Sequence, residues 1–196
     1  MARVTTIADV DRLDPAACVA ALASLFEGAP RFLARLCAAR PFADAEALFE
    51  RARAIALAMP EPEQVELIDA HPRLGAPPVT VSALSFVEQG YGREATETAR
   101  AEAAVAQAAA AQAAAADVAR ERERVAVELA RLNAAYEARF GFRYCVFVAG
   151  RPRAALLPGF EAALEADRAA EIDRALEAVV AIGRARWQQL TDKATQ

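Results

Sequence analysis

Residues 124–150, "RVAVELARLNAAYEARFGFRYCVFVAG", decide how the chain is read. Val125, Leu129, Leu132, Tyr136 and Phe140 recur at steps of four, three, four and four, which places them on one face of a helix turned toward a core. Gly141 ends that stripe. "YCVFVAG" then breaks the helical period with β-branched and aromatic residues and reads as extended. One such segment cannot make a sheet alone, because its backbone donors and acceptors have no neighbouring strand. The fold class therefore rests on what flanks it.

Both flanks read as helix. Upstream, "LDPAACVAALASLFEGAP" has Asp14 as N-cap, Pro15 at the first helical position and Gly28 as a stop. "APRFLARLCAARPF" is a short helix ended by Pro41. "ADAEALFERARAIALAMP" starts near Asp44 and ends before Pro60, with Leu48, Ile55 and Met59 at helical spacing. "EPEQVELIDAHP" carries acids in its first turn and is stopped by Pro72; "RLGAPPVT" is a loop, and a further helix opens at Ser82. Residues 94–140 are one long helix or two stacked ones. Thirteen of the nineteen residues from 101 to 119 are alanine, a stretch of high helix propensity that buries little surface. The last helix runs over about residues 168–190, with Ile172, Leu176, Val179, Gly183 and Leu190 on one face. The expected fold is all-α. It is one multi-helix bundle over residues 1–196, with a short extended segment near 144–149 and an alanine-rich helical insertion at about 94–122.

Composition narrows the function classes. The 196 residues are 56% hydrophobic and 26% charged, as in a soluble globular domain, and the length suffices for a sizeable core. Net charge is −4 with charges of both signs mixed along the chain, and no basic stripe or tail points to nucleic acid. No window of about 18 apolar residues is free of charges, so no membrane span is expected, and "MARVTTIADVDRLD" is not a secretory signal. Cys18, Cys37 and Cys145 have wide spacing and an odd count, which fits neither a disulfide framework nor a zinc pattern. They read as buried free thiols in a reducing cytoplasm. With a single histidine, a metal site built on His or Cys is not expected.

The chemistry-bearing residues are few, and each has a plain structural reading beside its functional one. His71, the only histidine, closes a helix whose C-terminal partial negative charge favours imidazolium, which would suit a proton donor near neutral pH. It would equally serve as a helix-end group bonding the last carbonyls. Ser85, Glu88 and Gln89 lie at i, i+3 and i+4 and project from one helical face if the helix opens at Ser82. Ser-x-x-Glu is also the pattern of a capping box. Arg186 is seven residues past Val179 and returns to the apolar face, whereas Arg184 points away. A buried arginine wants an anion, and a surface one can snorkel along the core edge. Arg40, Pro41 and Phe42 read as a helix-ending turn, Arg73 as solvated, Asn133 as an exposed polar residue and Arg139 as a helix-end cation.

Taken in order, several segments resemble one family, the 2-oxo-4-hydroxy-4-carboxy-5-ureidoimidazoline (OHCU) decarboxylases of urate breakdown. "ARPFADAEALF", "LIDAHPRLG", "SFVEQ", "LNAAYEARFGFRYCVFVAG" and "EIDRALEAVVAIGRARWQQL" each look like a segment of that family. His-Pro, then Ser-x-x-Glu-Gln, then Phe-Gly-Phe is a specific combination, although each motif alone is weak. The resemblance covers most of the chain outside the alanine-rich part. It implies an all-α, cofactor-free decarboxylase that forms (S)-allantoin and CO₂ and assembles as a homodimer. It also implies roles: His71 as proton donor, Glu88 on the substrate hydroxyl and the imidazole, and Ser85 and Gln89 on ureido and ring amide groups. Pro72 would wall the pocket, backbone groups around Cys145 to Phe147 would meet the ring edge, and Arg186 would hold an anionic or carbonyl oxygen.

The chain departs from the family pattern in four places. Arg143 follows Phe-Gly-Phe where proline is common, Trp187 replaces a leucine, "AALEA" (162–166) stands for an "RRL-x-N" stretch, and the alanine-rich segment is extra. These leave two alternatives open: a decarboxylase or lyase for a related ureido or heterocyclic acid, and a non-catalytic helical module that docks through its alanine-rich helix.

Overall fold

The structure, a computed structural model, describes residues 6–77, 81–89 and 109–195. Among them every regular element is helical and there is no strand. Among the described residues no helix is long and apolar enough to cross a membrane. The chain divides into two compact units: Met1–His71 with Phe142–Phe147 and Asp167–Gln196, and Pro72–Gly141 with Val148–Ala166.

In the first unit, α1 (Ile7–Arg12) opens with a capping box between Thr6 and Asp9. Asp14 caps α2 (Pro15–Leu22), which tightens into a 3₁₀ turn over Ala23–Leu25. After α3 (Pro30–Ala38), Asp44 caps α4 (Ala45–Ala58), and α5 (Glu61–Asp69) follows. The C-terminal helix α9 (Arg168–Thr195) packs on α4, on α5 and on the 3₁₀ turn. Its buried face carries Ile172, Leu176, Val179 and Trp187 and meets Leu22, Leu25, Phe26, Leu48, Phe49, Leu67 and Ile68 in one core. Gly183 is required there. A Cβ on it would lie 2.7 Å from the Phe26 ring, closer than packed atoms approach. Phe26 in turn packs edge-on to Phe32 with centroids 4.8 Å apart.

The Arg40–Phe42 turn does more than end α3. Arg40 donates through Nε to the Cys37 carbonyl and through Nη1 to the Val10 and Leu13 carbonyls, tying the end of α1 to the end of α3. The Phe42 amide donates to the Asp11 carboxylate.

The free-thiol expectation for the cysteines is corrected. α2 and α3 pack side by side, which brings the Cα atoms of Cys18 and Cys37 to 6.1 Å, and the two sulfurs form a disulfide. Sequence spacing says nothing of this, because the pairing follows from how the helices pack. The argument from free thiols to a reducing compartment goes with it. Cys145 is buried and takes no part in a disulfide among the described residues.

In the second unit, α6 (Ala83–Glu88) is followed by α7 (Ala109–Phe140), then by a 3₁₀ turn at Arg153–Leu156 and α8 (Leu157–Ala163). The stripe on α7 is the core: Val125, Leu129, Leu132, Tyr136 and Phe140 are all buried. Tyr136 packs tilted against Phe140 and edge-on to Phe160, centroids 4.6 and 5.8 Å away. From residue 109 onward the alanine-rich segment is part of one continuous helix; its 94–108 portion lies outside the described residues. Asn133, read as exposed, is buried: its Nδ2 donates to the Leu129 carbonyl (2.8 Å) and the Leu74 carbonyl (3.0 Å). Gly75, at φ +80°, brings the loop so near α7 that a Cβ would lie 3.0 Å from Leu129. After α7, residues 143–148 form neither helix nor ladder, as the lone apolar run required.

Candidate active site

His71 owes its place to α5. Glu61 and Glu63 favour the N-terminus of that helix. Gln64 Nε2 donates to the Ala56 and Leu57 carbonyls, both at 3.1 Å, and so fastens α5 to the end of α4. The helix closes with the His71 amide on the Ile68 carbonyl (3.1 Å), and Pro72 cannot continue it. The imidazole is 4% exposed. Its Nδ1 lies 3.3 Å from the Leu67 carbonyl, which can only accept, so this bond places the proton on Nδ1. Nε2 is buried and, among the described residues, has no hydrogen-bond partner. A neutral ring in this tautomer offers a lone pair at Nε2.

The charge state reverses the expectation drawn from the helix end. Burial, then the Arg186 guanidinium, push the imidazole down to about 4, against smaller opposing effects of Glu27 and the Leu67 carbonyl. Desolvation of the imidazolium outweighs the helix-end field. In the free protein at neutral pH the ring is therefore neutral.

Arg186 is fully buried and Arg184 is not, as their angular positions on α9 require. Arg186 donates to the Ser24 carbonyl (2.9 Å), the Leu25 carbonyl (3.3 Å) and the Glu27 carboxylate (2.8 Å). The anion that a buried arginine wants is thus supplied within the chain. Glu27 holds its place in a left-handed conformation, φ +49°, which costs of order 1 kcal/mol or more in a non-glycine residue. Sequence reasoning missed Glu27. The signal was Arg186 itself, whose buried direction called for an internal partner as much as for a ligand. Arg184 pairs with Glu46 at the surface and lies over the Phe49 ring.

Two more of the expected residues lie in the first unit. Cys145 is buried, and its carbonyl accepts from Arg174 Nη1 (2.9 Å), whose guanidinium lies over Tyr144. Phe147 is half-buried in a cleft of about 360 Å³ with Phe49, Val180 and the pairs Glu46–Arg184 and Arg53–Glu177; the lining of this cleft does not include His71.

The remaining four are in the second unit. Pro72 is half-buried. Ser82 caps α6, its Oγ accepting from the Ser85 amide (3.2 Å), so Ser85 is inside the helix and is not the N-cap. Ser85 and Gln89 are buried and Glu88 is half-buried, one turn of spacing apart. Gln89 is engaged at both ends of its amide: Oε1 accepts from the Gly75 amide (3.0 Å) and Nε2 donates to the Arg73 carbonyl (3.4 Å). That amide holds the 73–75 loop. Arg73, read as solvated, is exposed, and it pairs with Glu137. Among the described residues no group of three or more His, Cys, Asp or Glu is placed to hold a metal ion.

Over 181 residues the chain is 27% identical to the uric acid degradation bifunctional protein PucL of Bacillus subtilis (strain 168), a match covering 92% of this chain and 32% of that protein. The chain thus spans about a third of the length of the curated relative it matches. Its fold is similar to that of an OHCU decarboxylase crystallised in the presence of (S)-allantoin, with TM-score 0.57 and 20% identity over 87% of this chain and 96% of that one. It is also similar to an (S)-allantoin synthase, with TM-score 0.60 and 16% identity over 95% of this chain and 54% of that one. Residues 11–188 match the family model for OHCU decarboxylase, and the chain belongs to that family.

Proposed function

We propose that the protein decarboxylates 2-oxo-4-hydroxy-4-carboxy-5-ureidoimidazoline to (S)-allantoin, a step of urate breakdown, without a cofactor and with His71 as the proton donor. Membership of the OHCU decarboxylase family supports the reaction class. The observation that carries the role of His71 is its ring: one nitrogen held by a backbone carbonyl, the other buried with no partner among the described residues. A buried polar atom without a partner is costly to maintain, and a bound substrate would complete it.

The chemistry needs little from the protein. Breaking the bond to CO₂ sends its electron pair toward the substrate's ring C=N, which serves as the sink; the nitrogen takes a proton from water. The resulting enol must then lose its hydroxyl proton and gain one at the adjacent carbon, on one face. A neutral Nε2 suits both halves of that exchange: it accepts the hydroxyl proton, becomes imidazolium, and is then the donor to carbon. This reconciles a ring that is neutral at rest with a proton donor in turnover. An anionic carboxylate arriving beside the ring would also oppose the effect of Arg186 and favour the charged form. In the same reading Glu88 holds the hydroxyl, Ser85 meets the ureido group, and Pro72 with the backbone at Cys145 and Phe147 shapes the pocket. Gln89 and Arg186 would take their substrate roles by exchanging a present partner. A homodimer belongs to the proposal too, and light scattering tests it.

The test is turnover of substrate generated in situ from urate, read by the circular dichroism of the allantoin formed. His71→Asn is expected to lower the rate by about 10²–10⁴-fold, the range typical of general acid–base help, and to lose stereoselectivity, while helix content stays unchanged. Glu88→Gln is expected to lower turnover more than stability. Wild-type rates in both variants would refute the assignment.

A further inference from the structure

The last four carbonyls of an α-helix have no partner within it. At α5 the need is acute, because Pro72 has no N–H to offer them and the last turn carries no basic residue. The cation comes from 74 residues away. Arg143 Nη1 donates to the Asp69 carbonyl at 2.7 Å and to the His71 carbonyl at 3.2 Å, and the Arg143 backbone amide donates to Asp69 Oδ1 at 2.8 Å. One side chain thus bridges the helix end and the residue that bears the only imidazole, and its own backbone is anchored to the same turn.

We propose that Arg143 is a positioning residue for His71, gripping the backbone at Asp69 and His71 so that the ring keeps its Nδ1 bond to Leu67 and its Nε2 open. Among the described residues the ring has one hydrogen bond of its own, the 3.3 Å contact to a carbonyl four residues back. That contact exists only while residues 67–71 keep helical register. Fraying of the turn would let the ring rotate and let either nitrogen take the proton. Arg143 touches backbone oxygens of the protein, so its effect on turnover goes through His71. The activity arm of this inference rests on the proposed function; the ring-state arm does not.

His71 is the sole histidine, so ¹⁵N-imidazole labelling of tag-free protein gives one pair of ring signals. In the wild type these should report a single neutral tautomer with the proton on Nδ1. In Arg143→Ala they should shift toward a mixture of tautomers, with kcat falling by about ten- to a hundredfold, as small misplacements of a catalytic group do, and KM changing little. Arg143→Lys should recover much of both. Should the alanine variant lose its helical circular dichroism, Arg143→Gln, with one donor group where arginine has several, is read by the same signals. Unchanged ring signals and unchanged kcat in a folded variant would overturn the inference, as would a drop in stability alone with the tautomer intact. If the wild type proves inactive on the ureidoimidazoline, the proposed function falls, while the ring signals still decide the role of Arg143.

Discussion

The end of α5 and the short helix α6 look alike in sequence: each sets polar side chains beside a loop of Pro and Gly. Their polar atoms end differently. At α6 the Gln89 amide is closed at both ends on the backbone of Arg73 and Gly75, and Ser82 caps the helix start. Around α5, Gln64 and the Arg186–Glu27 pair are likewise closed on protein partners, but His71 Nε2 has none among the described residues. Groups closed within the protein hold its shape, and their loss should register in stability. A group left open is available to a ligand, and its loss should register in turnover.

That division can be broken most severely at Arg186. Arg186→Ala leaves the Glu27 carboxylate poorly solvated and without its cation, which should cost about 3–5 kcal/mol in urea unfolding, the range for breaking a buried pair. A loss below about 1 kcal/mol with turnover abolished would instead make Arg186 a ligand-binding group and its contact with Glu27 incidental.

The next effect belongs to His71 itself. Its folded-state value, pushed down to about 4, lies below the ordinary 6.5, so between these values the unfolded chain binds the extra proton and the native chain does not. Stability from this group is complete above about pH 6.5 and is lost as the pH falls toward 4, by about 3 kcal/mol in all. Urea midpoints at pH 7 and pH 5 measure the first part of this loss. His71→Gln should flatten that part of the profile; an unflattened profile would mean that other groups cause the acid loss.

The smallest effect sharpens the other side of the comparison. Gln89→Ala leaves the Gly75 amide and Arg73 carbonyl without their present partners and should cost about 1–3 kcal/mol, whatever it does to turnover. Full stability in that variant would release Gln89 from its structural duty and leave it to the substrate.

Much of this was legible because helices are local. The stripe on α7, the Asp14 and Asp44 caps, the stop at Pro72 and the burial of Arg186 but not Arg184 all follow from a period of 3.6 and from which residues can begin or end a turn. The order of short motifs pointed to the family that the comparison then showed. The Cys18–Cys37 bond, the burial of Asn133 and the role of Glu27 were not legible. Each depends on a partner that lies on another turn or another helix, and no spacing along the chain reports it.

The amino-acid sequence by itself determined the helical architecture and put one imidazole at the end of α5, because propensity, capping and hydrophobic period act over a few residues. Only the tertiary structure decided the chemical state of that imidazole. Burial is a property of the packed whole, and it outweighs the field of the one helix that the sequence makes visible.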